Sequence, residues 1–219
     1  MNYPYIDVHT HSAKNIGIEV INIDDFNDQP TYRYCSIGIH PWKIEQCNHL
    51  QQIAGFETFL QNHNVCAIGE IGLDRSITTN INLQKDIFTH QLNTAEKYHL
   101  PTIIHCVKAY SDIVEIIVHK KLSIPLIFHG FGGNTTIMQT LLQYERAFFS
   151  YGHRLLINPK IQNSFINTPQ NKILFETDTN DISINKIYNF AAEQKGLDFD
   201  ELKQIIYNNF TQVFCTNGR

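Results

Sequence analysis

The sequence predicts a (β/α)8 barrel built as one domain over residues 1–219. Two observations predict it. Short apolar, β-branched runs alternate with helical repeats along the whole chain, the pattern of a parallel sheet covered by helices. Several of those runs also end in a residue able to hold a metal: His9 and His11, Glu70, His105, His129 and Asp178. An open doubly wound sheet fits the alternation equally well. The barrel is favoured because such barrels build their sites at the C-terminal ends of their strands. The length is near the low end for that fold, so some helices must be short or missing.

The first strand is Tyr3 to Val8, with Pro4 at its start and Ile6 and Val8 on one face. Side chains alternate along a strand, so Asp7, His9 and His11 share the other face. Ile18–Ile23 and Tyr34–Ile39 follow as strands, and the direct run from His11 through Gly17 leaves no room for a full first helix. Glu45–Asn62 has helical spacing. Val65–Gly69 is a strand, and Leu83–Tyr98 is the clearest helix, with Leu83, Ile87, Gln91, Ala95 and Tyr98 on one stripe. Leu100–Ile104 is a strand whose proline is admissible near the start. Ser111–Lys121 reads as a helix with lysines in its last turn. Ile124–Phe128 is a strand and Thr135–Tyr144 a helix. Arg146–Tyr151 and Lys172–Phe175 are the last strands, and helices over Ile184–Lys195 and Asp198–Phe214 close the chain.

Composition narrows the function. Hydrophobic residues make up 42% and charged residues 17%, which describes a globular chain somewhat short of charge. A net charge of −4 argues against a protein that coats nucleic acid through a basic surface. A phosphate-bearing substrate would need metal ions or a few local lysines to supply positive charge. The five cysteines (Cys35, Cys47, Cys66, Cys106, Cys215) are odd in number and form no C-x-x-C pair, so reduced thiols are expected. With no basic segment leading into an apolar stretch at the N-terminus, and no run able to span a bilayer, the expected setting is cytoplasmic. Nothing points to an obligate protein partner.

The residues themselves carry the chemistry. Two imidazoles at i and i+2 can reach one ion, and Asp7 could stand behind them as an orienting acceptor. A lone H-x-H is commonly satisfied by ordinary hydrogen bonds, so its company decides. Glu70 lies between Gly69 and Gly72, and a carboxylate there can bridge two ions as a histidine cannot. His105 ends Thr102–Ile104 and His129 ends Leu126–Phe128, giving four imidazoles at corresponding ends of three strands. Asp178 follows Ile173–Thr177 and can both hold a metal and take a proton from bound water. His40, in Gly38-Ile39-His40-Pro41-Trp42, could touch a substrate oxygen from a loop. His49, His63, His90, His99 and His119 read as surface residues, and His153 is undecided.

These motifs resemble the TatD-like metal-dependent hydrolases, within the amidohydrolase-type TIM barrels. The matching stretches are Asp7-Val8-His9-Thr10-His11, Gly38–Pro41, Gly69–Asp74, Pro101–His105, Phe128–Gly133 and Glu176-Thr177-Asp178, in family order over most of the chain. The resemblance implies that His9, His11 and Asp178 hold one divalent ion, and that Glu70 bridges to a second held by His105 and His129. The ions would lie roughly 3.5–4 Å apart. It implies deoxyribonuclease activity, with His40 and Asp74 beside the site. Three departures are visible: the segment after His11 is short, Cys106-Val107-Lys108 replaces the Arg common after the strand-end histidine, and Asp178 leads almost directly into a helix.

The expected function is therefore phosphodiester hydrolysis, with single-stranded DNA a candidate substrate. Asp178 and Glu70 would be catalytic, and His40, Lys108 and Asp74 would bind substrate. Mixed imidazole and carboxylate donors suit Zn²⁺ or Mn²⁺, with Mg²⁺ at lower affinity. Two alternatives stand beside it. The same centre could hydrolyse a carboxylic ester or amide, such as an aminoacyl-tRNA ester, or the chain could be a non-catalytic metal-binding protein.

Overall fold

The computed structural model describes residues 3–27, 30–44 and 48–215. Eight parallel strands run in chain order around a nearly closed barrel: β1 (Tyr5–Thr10), β2 (Gly17–Ile23), β3 (Cys35–Ile37), β4 (Ala67–Asp74), β5 (Thr102–Val107), β6 (Leu126–Phe128), β7 (Ala147–Tyr151) and β8 (Ile173–Phe175). The seam between β8 and β1 is closed by a parallel bridge from Thr10 to Asp178, where the Asp178 N–H donates to the His9 carbonyl at 2.9 Å. Asp7 reinforces the seam, accepting from the Thr177 N–H at 3.0 Å and the Thr177 hydroxyl at 2.6 Å. Just outside it, the buried Tyr188 hydroxyl takes the Ile6 N–H and donates to the Ile6 carbonyl.

The helices are α1 (His49–Asn62), α2 (Ile81–Tyr98), α3 (Tyr110–Lys120), α4 (Thr135–Leu141), α5 (Arg154–Ile157), α6 (Pro159–Asn167), α7 (Ile184–Lys195) and α8 (Phe199–Phe214). Among the described residues no helix separates β1 from β2, as the short spacing requires. The expected start of the first helix at Glu45 lies outside the described residues, as does Cys47. Among the described residues no helix is long and apolar enough to cross a membrane.

Two strands run further than their sequence suggests. β4 continues through Gly69 to Asp74 and β5 continues to Val107, so Glu70 and His105 sit within strands rather than just past them. The glycines of β4 are not breaks but points of close approach. At Gly72, where φ is +147°, a Cβ would collide with the His105 carbonyl, and at Gly69 it would fall 2.5 Å from the Ile103 Cβ. The pairing of β4 with β5 slips between Ile68 and Ile71, as a bulge beside a site commonly does.

Helix α2 fixes the ends of two strands that carry the site. Its buried Gln91 accepts from the Ile39 N–H at 2.6 Å and donates to the Ile39 carbonyl at 3.2 Å. Its buried Gln84 does the same for Asp74, at 2.8 and 3.0 Å. Each glutamine thus supplies the strand ends with partners that no neighbouring strand offers. Gln91→Leu keeps the volume but leaves both Ile39 groups unpaired, at about 1–3 kcal/mol for each buried group. The expected result is a loss of about 3 kcal/mol, read as a lower urea midpoint at unchanged m-value.

Candidate metal centre

The C-terminal ends of the strands bring His9 and His11 (β1 and the residue following it), Glu70 (β4), His105 (β5), His129 (after β6) and Asp178 (after β8) to one place. Glu70 stands at the middle with its two oxygens facing different groups. Oε2 lies 3.3 Å from His9 Nε2 and 3.7 Å from His11 Nε2. Oε1 lies 2.6 Å from His105 Nδ1, 2.7 Å from His129 Nε2 and 3.1 Å from His40 Nε2. Asp178 Oδ1 completes the first group, 3.7 Å from His9 Nε2 and 3.5 Å from His11 Nε2. Its backbone is left-handed (φ 54°), a conformation that Asp tolerates better than most residues. About a third of its side chain is exposed, so the carboxylate meets solvent.

Three of the histidines are held from behind by carboxylates. His11 Nδ1 lies 3.0 Å from Asp24 Oδ2, His105 Nε2 lies 3.3 Å from Asp74 Oδ2, and His129 Nδ1 lies 3.3 Å from Glu176 Oε1. Such a partner takes the N–H of one ring nitrogen, so that the neutral ring, once its second proton is displaced, turns a lone pair toward the cluster, the arrangement usual for metal-binding histidines. Asp24 is itself held by Lys43 at 2.6 Å, and Glu176 accepts from the Gly130 N–H at 2.6 Å. Asp24 and the orienting part of Glu176 escaped the sequence reading, because only tertiary placement reveals what stands behind a ring.

His40 is different. Its Nδ1 accepts the Trp42 backbone N–H at 3.1 Å, capping the 3₁₀ turn Pro41–Lys43. Burial lowers its pKa, and with Nδ1 accepting, the neutral ring carries its proton on Nε2. In that tautomer Nε2 presents a hydrogen to the centre, although His40, Glu70 and His105 also converge closely enough to hold an ion. That tautomer follows from the hydrogen bond at the opposite nitrogen.

The electrostatics are those of charges crowded into a buried space. Burial opposes ionisation of Glu70, yet the imidazoles around it, His129 first, hold its carboxyl well below the usual range. Burial likewise opposes a charge on His129, and the Glu70 and Glu176 carboxylates more than offset it. The hydrogen bond to Asp24 lifts His11 to about 9. Asp7 goes the other way: burial pushes its carboxyl up to about 7.

The fit of this donor set to metal can be judged at His9. Its side chain is fully buried, and neither ring nitrogen has a hydrogen-bond partner. The 3.3 Å approach to Glu70 lacks hydrogen-bond geometry. An unsatisfied buried polar group costs about 1–3 kcal/mol. A divalent cation between His9, Glu70 and the neighbouring donors would satisfy it, and the mixed imidazole and carboxylate set fits such an ion.

One expectation needs correction. Asp7 does not stand behind His9 or His11. The register irregularity of β1 against β2 between Asp7 and Thr10 breaks the simple alternation, and the carboxylate faces Thr177 across the seam. Asp74, expected beside the substrate, has its carboxylate engaged within the protein. It is fully buried and occupied by His105, by the Trp42 indole N–H at 2.6 Å and by Ser76. Lys108 is exposed, in a left-handed conformation, and borders a cavity of about 400 Å³ that opens beside His105, His129 and Asp178. Tyr110, Phe131 and Arg154 also line it. His153, undecided from sequence, lies on its wall.

Comparison with known proteins agrees with this architecture. A family model described as TatD related DNase matches residues 20–215, a span that leaves out His9 and His11. The metal-dependent hydrolase YjjV of Escherichia coli K12 is 24% identical over 212 residues, covering 86% of this chain and 78% of that protein. The 3'-5' ssDNA/RNA exonuclease TatD of Yersinia pseudotuberculosis is 30% identical over 119 residues, 52% of this chain and 45% of that one. The crystal structure of E. coli YjjV has the same fold, with a TM-score of 0.81 at 20% identity over 99% of this chain and 100% of that one. Matched by the family model over nearly its whole length, and sharing the YjjV barrel, the chain belongs to the TatD-related DNase family.

Proposed function

We propose that the centre binds two divalent ions and hydrolyses phosphodiester bonds of single-stranded nucleic acid. The observation that carries this reading is the division of Glu70, whose Oε2 faces His9 and His11 while Oε1 faces His105 and His129. His9, His11 and Asp178 would hold one ion and His105 and His129 the other, with Glu70 shared. Zn²⁺ or Mn²⁺ suits these donors, and Mg²⁺ fits at lower affinity. When bound, such ions polarise the phosphoryl group and lower the pKa of water.

The chain's own groups supply the rest. Asp178, at the solvent-facing edge of the cluster, accepts the proton of the attacking water. His40 Nε2 offers its hydrogen to a phosphate oxygen, a part that its tautomer permits and metal binding would not. Lys108 and Arg154 form no ion pair with a carboxylate among the described residues, so both are free to meet phosphate beside the cavity. Relatives bearing the names hydrolase and 3'-5' ssDNA/RNA exonuclease support this choice of substrate.

The test is hydrolysis of a 5'-labelled single-stranded DNA by protein stripped with chelator and then reloaded with Zn²⁺ or Mn²⁺. Activity should vanish on stripping and return on reloading. Turnover of aminoacyl or other carboxylic esters, with none of DNA or simple phosphodiesters, would replace this reading with the carboxyl-ester one.

A further inference from the structure

Trp42 is the chain's one tryptophan, and it is 66% exposed at the rim of the centre. It follows directly from His40 and Pro41 in the 3₁₀ turn after β3. Its ring centroid lies 5.2 Å from that of His40 and 6.1 Å from that of His105. Both imidazoles meet it steeply, at 83° and 74°, so neither stacks on it. The indole is nonetheless fixed in place, because its N–H donates to the buried Asp74 carboxylate at 2.6 Å.

A large apolar ring kept in water yet held in one orientation is preorganised for a flat ligand, since binding would cost little side-chain entropy. The charge of the chain makes the same demand. With a net charge of −4, broad attraction for a polyanion is absent, so affinity must come from local contacts. Lys108 and Arg154 offer such contacts at the cavity that His105 also lines, and Trp42 flanks His105 separately from that cavity.

Resting on the phosphodiesterase reading above, we propose that Trp42 is a stacking platform for a nucleobase of the substrate strand. A base laid on the indole would sit beside His40 and His105, with its phosphates leading toward the metal ligands. Stacking on an aromatic ring tolerates any base, so the platform would set a preference for base-bearing single strands without reading sequence.

A single tryptophan gives this proposal a readout independent of turnover. Metal-free protein is titrated with a single-stranded deoxyadenylate pentamer and with an abasic pentamer of the same backbone, following intrinsic fluorescence. The base-bearing strand should quench and the abasic strand should not. Equal quenching by both, or none by either, would overturn the platform, whether or not the protein proves to be a nuclease.

In the metal-loaded protein the ratio of kcat/KM for the two strands should be about 10-fold or more, the usual worth of one stacked base. Trp42→Leu should bring the ratio close to one, while Trp42→Phe, which keeps a ring but loses the bond to Asp74, should retain most of it. If Phe and Leu lower the ratio alike, Trp42 acts through Asp74 and His105 instead, and the platform is wrong.

Discussion

Asp178→Asn is expected to lower kcat on single-stranded DNA by about 10²–10⁴-fold, the usual contribution of a positioned general base. The substitution keeps the shape and an oxygen able to face His9 and His11, so metal content should fall far less than activity. The seam bond from the Asp178 N–H to the His9 carbonyl is a backbone contact and survives the change. Single-turnover rates beside metal analysis of the same samples separate the two effects. Activity equal to that of the parent would remove Asp178 from the chemistry.

The second large effect belongs to Glu70. Glu70→Gln removes the one carboxylate that faces both groups of imidazoles while leaving the side chain's volume unchanged. Removing one member of a buried charged set costs about 3–5 kcal/mol. At 1.4 kcal/mol per decade that is about 10²–10⁴-fold in metal affinity, and hydrolysis should fall at least as far. Calorimetric titration with Zn²⁺ measures it. An affinity within about threefold of the parent's would mean that the ions do not share this residue.

Much of this centre could be read before any coordinates, for a physical reason. A parallel strand buried on both faces is a continuous apolar run, so a histidine or carboxylate at its end stands out, and in a barrel all such ends gather at one mouth. That is why His9, His11, Glu70, His105, His129 and Asp178 could be picked out together. What stands behind the rings was not legible. Asp24 lies in the loop after β2, and nothing in its local sequence announces that it meets His11. The tautomer of His40 depends on a backbone N–H two residues on, which becomes visible only once the 3₁₀ turn exists. Asp7 misled because a slip of register in β1 defeats the parity rule.

Helices α5 and α6 went unpredicted although part of the signal was present. Asn158 caps α6 by accepting the Lys160 N–H, Pro159 opens it, and Ile161 and Phe165 form its buried i, i+4 pair. The length of β4 is underestimated because glycine reads as a break in a strand, and that of β5 because the polar His105 reads as the end of an apolar run. In β4 glycine is required where the neighbouring backbone comes close.

Two ions sharing Glu70 are the centre of the proposed function. The most direct measurement is native mass spectrometry of metal-free protein reloaded with excess Zn²⁺. Two ions per chain are predicted for the parent, with occupancy lost when His9 and His105 are both replaced by alanine. One ion per chain, none, or a double variant that still carries two would contradict it.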